Sequence, residues 1–131
     1  MAKYREQFGP EIHLIAKLER QPAIDETQSI TKYADELWLC RGDLGAELGI
    51  KTMAQTTALF SRQVESIPVP VLMAGQVLEH MTEHPTPTRS EVCHLYNILQ
   101  QGYHGVVLSD ETAIGKYPVE SCRAAALFKT N

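Results

Sequence analysis

The 131-residue sequence has no excess of positive charge and no long hydrophobic run. Its net charge of −4 at pH 7 lacks the basic surplus that neutralises nucleic-acid phosphates, so no nucleic-acid partner is expected. Nowhere do about 18 apolar residues follow one another, and the amino-terminal stretch is charged and interrupted by Gly9-Pro10. We therefore expect neither a membrane span nor a signal peptide.

Cysteine is also scarce, with only Cys40, Cys93 and Cys122, widely spaced and without a CxxC pair. An odd number at such spacing favours reduced, buried thiols over a disulfide framework or a zinc site, and it predicts a cytoplasmic protein. The apolar fraction of 44% is too high for an intrinsically disordered chain. The length suits one folded domain.

Four short apolar runs rich in β-branched residues recur along the chain, at residues 12–17, 36–40, 69–73 and 105–109. Apolar residues at helical spacing fill the segments between them, which predicts a parallel α/β fold. Two helix starts are marked. Pro118 suits a first helical turn, and Thr88 with Glu91 has the form of a capping box.

Polar residues follow three of the predicted strands, at the edge where parallel α/β folds bind ligands. Alternation along the first strand puts Lys17 and Glu19 on one face, and Asp43 follows the second strand. Two carboxylates are suitable ligands for Mg²⁺ or Mn²⁺, and Lys17 suits the stabilisation of negative charge. A tight turn at Gly42 and Asp43 would offer backbone N–H groups to a carboxylate or phosphate.

The spacing alone leaves a second interpretation of this cluster. A lysine and a glutamate two residues apart on an exposed strand are more often a solvated ion pair than a metal site. His80 and His84, four residues apart on a predicted short helix, are the one histidine pair with metal-ligand spacing. For that pair we favour a surface role.

Five sequence blocks resemble successive blocks of the pyruvate kinase family, in its order and near its spacing. They are IAKLE at 15–19, RGDLG at 41–45, QVLE at 76–79, PTRSE at 87–91 and SDETAIGKYP at 109–118. The resemblance covers roughly residues 12–128 and implies half of a TIM barrel, equivalent to strands five to eight. It divides the chain into an amino-terminal arm, residues 1–10, and a half-barrel domain, residues 11–131.

The resemblance also implies a function, which in that family is phosphoryl transfer from phosphoenolpyruvate to ADP with Mg²⁺. By this resemblance Glu19 and Asp43 bind the metal, and Lys17 stabilises the phosphoryl and enolate charge. The backbone amides of Gly42 and Asp43 bind the substrate carboxylate. A phosphoenolpyruvate-like or oxalate-like small carboxylate is therefore the expected ligand.

Four positions depart from the family pattern. Gly75, a substrate-binding position, replaces the active-site threonine, and losing one positioned donor typically lowers the rate on the order of 10²–10³-fold. Arg20 replaces a usual asparagine, His94 a usual aspartate and Asp110 a usual glycine. No part of the chain resembles the first half of the barrel, the lid domain or the carboxy-terminal domain. We expect metal and carboxylate binding with weak or no full activity.

Two other functions are compatible with the residues. A degenerate paralogue would act as a non-catalytic binding or regulatory module, which senses a small carboxylate or docks on a full-length enzyme. A metal-dependent lyase or aldolase of the wider phosphoenolpyruvate-binding barrels would also use a Glu/Asp pair, but the PTRSE and SDETAIGKYP blocks argue against it.

A half barrel leaves two open sheet edges and one uncovered apolar face. We therefore expect a homo-oligomer, most simply a two-fold dimer, or a separate chain that supplies the missing half.

Overall fold

One sheet of four parallel strands forms the centre of the molecule in a computed structural model that describes residues 1–129. The strands lie side by side in sequence order: β1 (Ile15–Leu18), β2 (Glu36–Cys40), β3 (Val71–Ala74) and β4 (Gly105–Val107). Helices separate successive strands, so the predicted α/β fold with parallel strands is confirmed.

Eight α-helices accompany the strands in the part of the chain that the structure describes. They are α1 (Ala2–Phe8), α2 (Gln21–Asp25), α3 (Thr27–Ile30), α4 (Arg41–Leu48), α5 (Ile50–Ser61), α6 (Arg89–Gln100), α7 (Asp110–Ala113) and α8 (Pro118–Ala125). Two short 3₁₀ helices cover Val64–Ser66 and Glu79–Thr82. Both predicted helix starts are confirmed: Pro118 opens α8, and the Thr88 hydroxyl accepts from the Glu91 N–H at 3.1 Å in a complete capping box.

The first predicted helical segment, between β1 and β2, differs from a single helix because it divides into α2 and α3 at Glu26. The buried Thr27 hydroxyl donates to the Ile24 carbonyl at 2.7 Å. A threonine that bonds back to the preceding turn competes with regular helix geometry, which accounts for the break.

The first strand begins at Ile15 and not at residue 12, because side chains bind the preceding backbone. The Ile12 carbonyl accepts from Arg5 at 2.8 Å, and the Leu14 N–H donates to the Asp35 carboxylate at 2.7 Å. These groups are therefore unavailable to the sheet. Within residues 1–129, no helix has both the length and the apolar composition needed to cross a membrane.

The two faces of the sheet differ in their cover. The helices bury one face and form the core with its alternate side chains, which are Ala16, Leu18, Leu37, Leu39, Val71 and Met73. The opposite face carries Ile15, Lys17, Trp38 and Leu72 in register, all of them exposed or half-buried. This second face is mixed in character, since Glu36 lies in register with Ile15, and Ile15 at 39% exposure has no cover from the described residues.

Candidate functional site

The carboxyl ends of β1 and β2 bring Lys17, Glu19 and Asp43 close together. Lys17 lies on the uncovered face of β1, and Glu19 follows two residues later on the same side. Asp43 lies in the first turn of α4, directly after β2. Both carboxylates line a cleft of about 470 Å³, together with Arg20, Pro22, Ala46 and Glu47.

Lys17 and Glu19 form an ion pair between Nζ and Oε1, with 54% and 32% of their side chains exposed. The hydrogen bond and then the charge of Glu19 raise the pKa of Lys17, so the amine is an ammonium group at neutral pH. This ion pair does not distinguish the two interpretations from sequence. Lys17 and Glu19 would be in contact both as a solvated surface pair and as members of one ligand-binding pocket. An exposed pair contributes about 0–1 kcal/mol, so a ligand of modest affinity can open it.

The donor set fits a divalent metal of the magnesium type. Apart from its ion pair with Lys17, Oε1 of Glu19 is buried without a hydrogen-bond partner. Residues 1–129 bring no group of three His, Cys, Asp or Glu side chains together for a metal. Two protein carboxylates are nonetheless sufficient for Mg²⁺, which usually keeps several waters and shares its other positions with an anionic substrate.

The RGDLG block is a helix and not the predicted tight turn. α4 begins at Arg41, immediately after β2, and its buried Leu44 anchors it to the core. An acidic residue in the first turn, Asp43, complements the helix dipole. The first amides of a helix have no intrahelical partner, and no side chain caps this end. The amides of Gly42 and Asp43 are therefore free to bind an anion, as they would be in the predicted turn, but they belong to the first turn of a helix.

Cys40 is the buried residue before α4, close to Lys17, Glu19 and Asp43. Burial raises the pKa of its thiol to about 11. The thiol therefore stays protonated at neutral pH, and a protonated thiol is a poor metal ligand. The expectation of buried thiols holds for Cys40 but is wrong for Cys93 and Cys122, which are both exposed.

Gly75 lies directly against the start of α4. Its φ is +90°, and a Cβ added there would stand 3.2 Å from the backbone nitrogen of Gly42. Gln76 follows with a φ of +52°, so two consecutive residues have left-handed backbone. The turn that begins at Gly75 therefore depends on glycine, and it borders the amides that are candidates for anion binding.

Three charged side chains hold this turn, none of which sequence reasoning placed there. Arg41 donates to the Gly75 carbonyl. The fully buried Glu111 accepts from the N–H groups of Leu78 at 3.0 Å and Ser109 at 2.7 Å. Glu91, known from the sequence only as a helix cap, also accepts from the His80 N–H at 2.8 Å. Arg41, Glu91 and Glu111 lie in the blocks RGDLG, PTRSE and SDETAIGKYP. Their location in blocks that resemble one family was the only feature of the sequence that could have indicated a shared role.

His80 and His84 stack with ring centroids 3.8 Å apart and ring planes within 4° of parallel. Both are exposed, as the surface interpretation predicts. Nδ1 of His84 lies 3.2 Å from the His80 carbonyl oxygen, and the pair joins no group of three potential metal ligands within residues 1–129.

Comparison with known proteins relates this geometry to one family. The family model for the barrel domain of pyruvate kinase matches residues 2–122. The chain is 38% identical to pyruvate kinase isozyme G, chloroplastic, of Ricinus communis, over 94% of this chain and 29% of that protein. It is 36% identical to pyruvate kinase of Thermotoga maritima, over 89% of this chain and 25% of that protein. A parallel sheet of four strands with alternating helices fits part of a TIM barrel.

Proposed function

This chain belongs to the pyruvate kinase family, and we propose that it binds a divalent metal together with a small carboxylate, with weak or no turnover on its own. The observation that supports this proposal is the cleft that Glu19 and Asp43 share, with the Lys17 ammonium group against Glu19. The two carboxylates suit a metal cation, and the ammonium group suits an anionic ligand bound beside that metal.

Each residue has a separate role in the proposed site. Glu19 and Asp43 would hold Mg²⁺ or Mn²⁺, which supplies positive charge beside the bound anion. The amides of Gly42 and Asp43 would bind the carboxylate of a phosphoenolpyruvate-like or oxalate-like ligand. Lys17 leaves its exposed ion pair with Glu19 and stabilises negative charge on the ligand.

Several features argue against efficient phosphoryl transfer from phosphoenolpyruvate to ADP by this chain alone. It spans 29% of the Ricinus relative and 25% of the Thermotoga relative, so most of the framework of the whole enzyme lies outside it. Gly75 also presents no hydroxyl to a substrate. These features keep open a second function, a non-catalytic binding or regulatory module, which the substitution at Gly75 favours.

Calorimetric titration of oxalate, an enolpyruvate mimic, tests the proposed site. We expect wild-type protein to bind oxalate in the presence of Mg²⁺ and not in the presence of EDTA. Glu19→Ala should weaken that binding at least about tenfold, because it removes one of only two metal ligands. Glu47→Ala is the matched control, since it removes a carboxylate from the same cleft that has no assigned role.

Oxalate binding that is independent of Mg²⁺, or equal in the Glu19→Ala and wild-type proteins, would contradict the proposed site. Absence of binding would instead favour a scaffold whose function lies in its interfaces.

We further propose that the uncovered sheet face is closed by a second copy of the chain, in a two-fold dimer. A separate chain that carries the missing half barrel is the alternative occupant. The open edges at β1 and β4 and the exposed Ile15 support association of this kind. A cytoplasmic location also remains a proposal, because the Ricinus relative is named as chloroplastic.

A further inference from the structure

A second cleft lies between α5 and α6, beneath the turn at Gly75. It has a volume of about 430 Å³, within the range of about 300–1,000 Å³ typical of small-molecule sites. Met73 lies in its wall, α5 contributes Thr57 and Ser61, and α6 contributes Asn97 and His94. The cleft therefore combines an apolar surface with several hydrogen-bonding groups.

The side chains proposed to hold the metal do not line this cleft. Met73 belongs to the helix-covered face of β3, whereas Lys17 lies on the opposite, uncovered face of the sheet. Neither Lys17, Glu19 nor Asp43 lines it. Gly42 does line the cleft, so the two sites meet at one of the amides proposed to bind the ligand carboxylate in the metal site.

Arg41 contributes a positive charge to this cleft without a negative partner. Its guanidinium donates to the carbonyls of Gly75 and Gln76 and to Nε2 of His94, the last at 2.8 Å. None of the ion pairs formed by residues 1–129 includes Arg41. A guanidinium has five N–H donors, so two remain, and the one on Nε is buried without a partner.

His94 does not supply the missing negative charge. Burial, and then the neighbouring Arg41, lower the pKa of His94, so the ring is neutral at neutral pH and accepts the Arg41 hydrogen bond. Burial also lowers the pKa of Arg41. A half-buried cation held only by neutral groups is unfavourable, and an anion would relieve it.

We propose that the cleft between α5 and α6 binds a small organic anion, whose carboxylate or phosphate pairs with Arg41. The wall at Met73 contacts the apolar body of the ligand, and the hydroxyl of Thr57 and the amide of Asn97 bind its polar substituents. Because the cleft is larger than an inorganic ion requires, a compact organic acid or phosphate ester fits it best.

The test is an NMR titration of isotope-labelled protein with sodium benzoate, in EDTA so that the metal site is inactive. We expect saturable shifts of the backbone amides of Gly75, His94 and Asn97, in the millimolar range of benzoate. Benzamide, a neutral molecule of the same shape, should bind more weakly. Inorganic phosphate is the second anionic probe. Absence of saturable shifts with both benzoate and phosphate, or equal binding of benzamide, would overturn the proposal.

A pair of variants at residue 94 separates charge from shape. His94→Asp gives Arg41 an internal carboxylate, so benzoate binding should weaken about tenfold or more while the thermal midpoint rises. His94→Asn keeps a neutral acceptor and should retain benzoate binding. Retained binding in a folded His94→Asp protein would contradict the role of Arg41. Because no step needs Mg²⁺ or oxalate, this result is independent of the outcome at the metal site.

Discussion

At the scale of the residue, the backbone conformation of Gly75 determines the effect of replacing it with threonine, the residue that the pyruvate kinase pattern has at this position. Threonine there would place a branched Cβ at a φ of +90° and 3.2 Å from the Gly42 nitrogen. Such backbone strain costs on the order of 1–3 kcal/mol. We therefore expect Gly75→Thr to lower the free energy of unfolding by about that amount, measured by urea denaturation. It should also fail to strengthen Mg²⁺-dependent oxalate binding.

Gly45→Ala is the control for this prediction. Gly45 lies within α4 with ordinary helical backbone, and an added Cβ would meet Met53 at 3.7 Å, a normal contact. Alanine is favoured over glycine in a helix by about 0.5–1 kcal/mol, so the control should be stabilised. A Gly75→Thr protein as stable as wild type would show that the turn does not require its positive φ.

Residue-scale prediction from sequence succeeded where the chemistry is local. Alternation along β1 correctly placed Lys17 and Glu19 on one face, because two residues of one strand fix their relative position. The contacts of Arg41 and Glu111 were not predictable in this way. Arg41 meets His94 across 53 residues and Glu111 meets Leu78 across 33, so both contacts depend on how the strands are ordered in space.

At the scale of the element, one carboxylate attaches α1 to the sheet. Asp35, just before β2, accepts from the Leu14 N–H and from Arg5 of α1, and these bonds, in that order of strength, lower its pKa. A lowered pKa in the folded state stabilises the protein above the unfolded pKa of about 3.9, and this contribution is lost as pH falls through the folded value.

The expected result is a fall in the free energy of unfolding below about pH 4, measured by urea denaturation across a pH series. In Asp35→Asn this part of the pH dependence should be absent, since the amide does not titrate. Arg5→Ala should reduce it, because one of the two contacts remains. An Asp35→Asn protein with the wild-type slope would assign the acid sensitivity to other carboxylates.

Element types followed from periodicity, whereas two element boundaries depended on contacts that sequence spacing does not reveal. All four predicted strands exist, but β1 begins late because Arg5 and Asp35 bind the backbone before it. Gly42 and Asp43 in the RGDLG block were predicted to form a tight turn. The block forms a helix because Leu44 is buried and Asp43 favours the first turn.

At the scale of the whole molecule, the alternation of strands and helices was sufficient to predict a parallel sheet, and the covered face confirms where its core lies. The sequence does not predict what covers the second face, because burial against another copy of the chain produces no separate periodic pattern in the sequence. The open edges at β1 and β4 allow β4 of one copy to lie beside β1 of another, so that two four-stranded sheets have the strand number of a TIM barrel.

The proposed dimer predicts association that depends on protein concentration in sedimentation velocity experiments. Ile15→Lys adds a charge at the edge of the uncovered face and should weaken dimerisation at least about tenfold, since each dimer contains the change twice. Leu59→Lys is the matched control, because Leu59 is 62% exposed on α5, away from that face, and it should associate like wild type. A monomer at every concentration would contradict self-association and leave a separate chain with the missing half barrel as the partner. Equal weakening by both substitutions would place the interface on another surface.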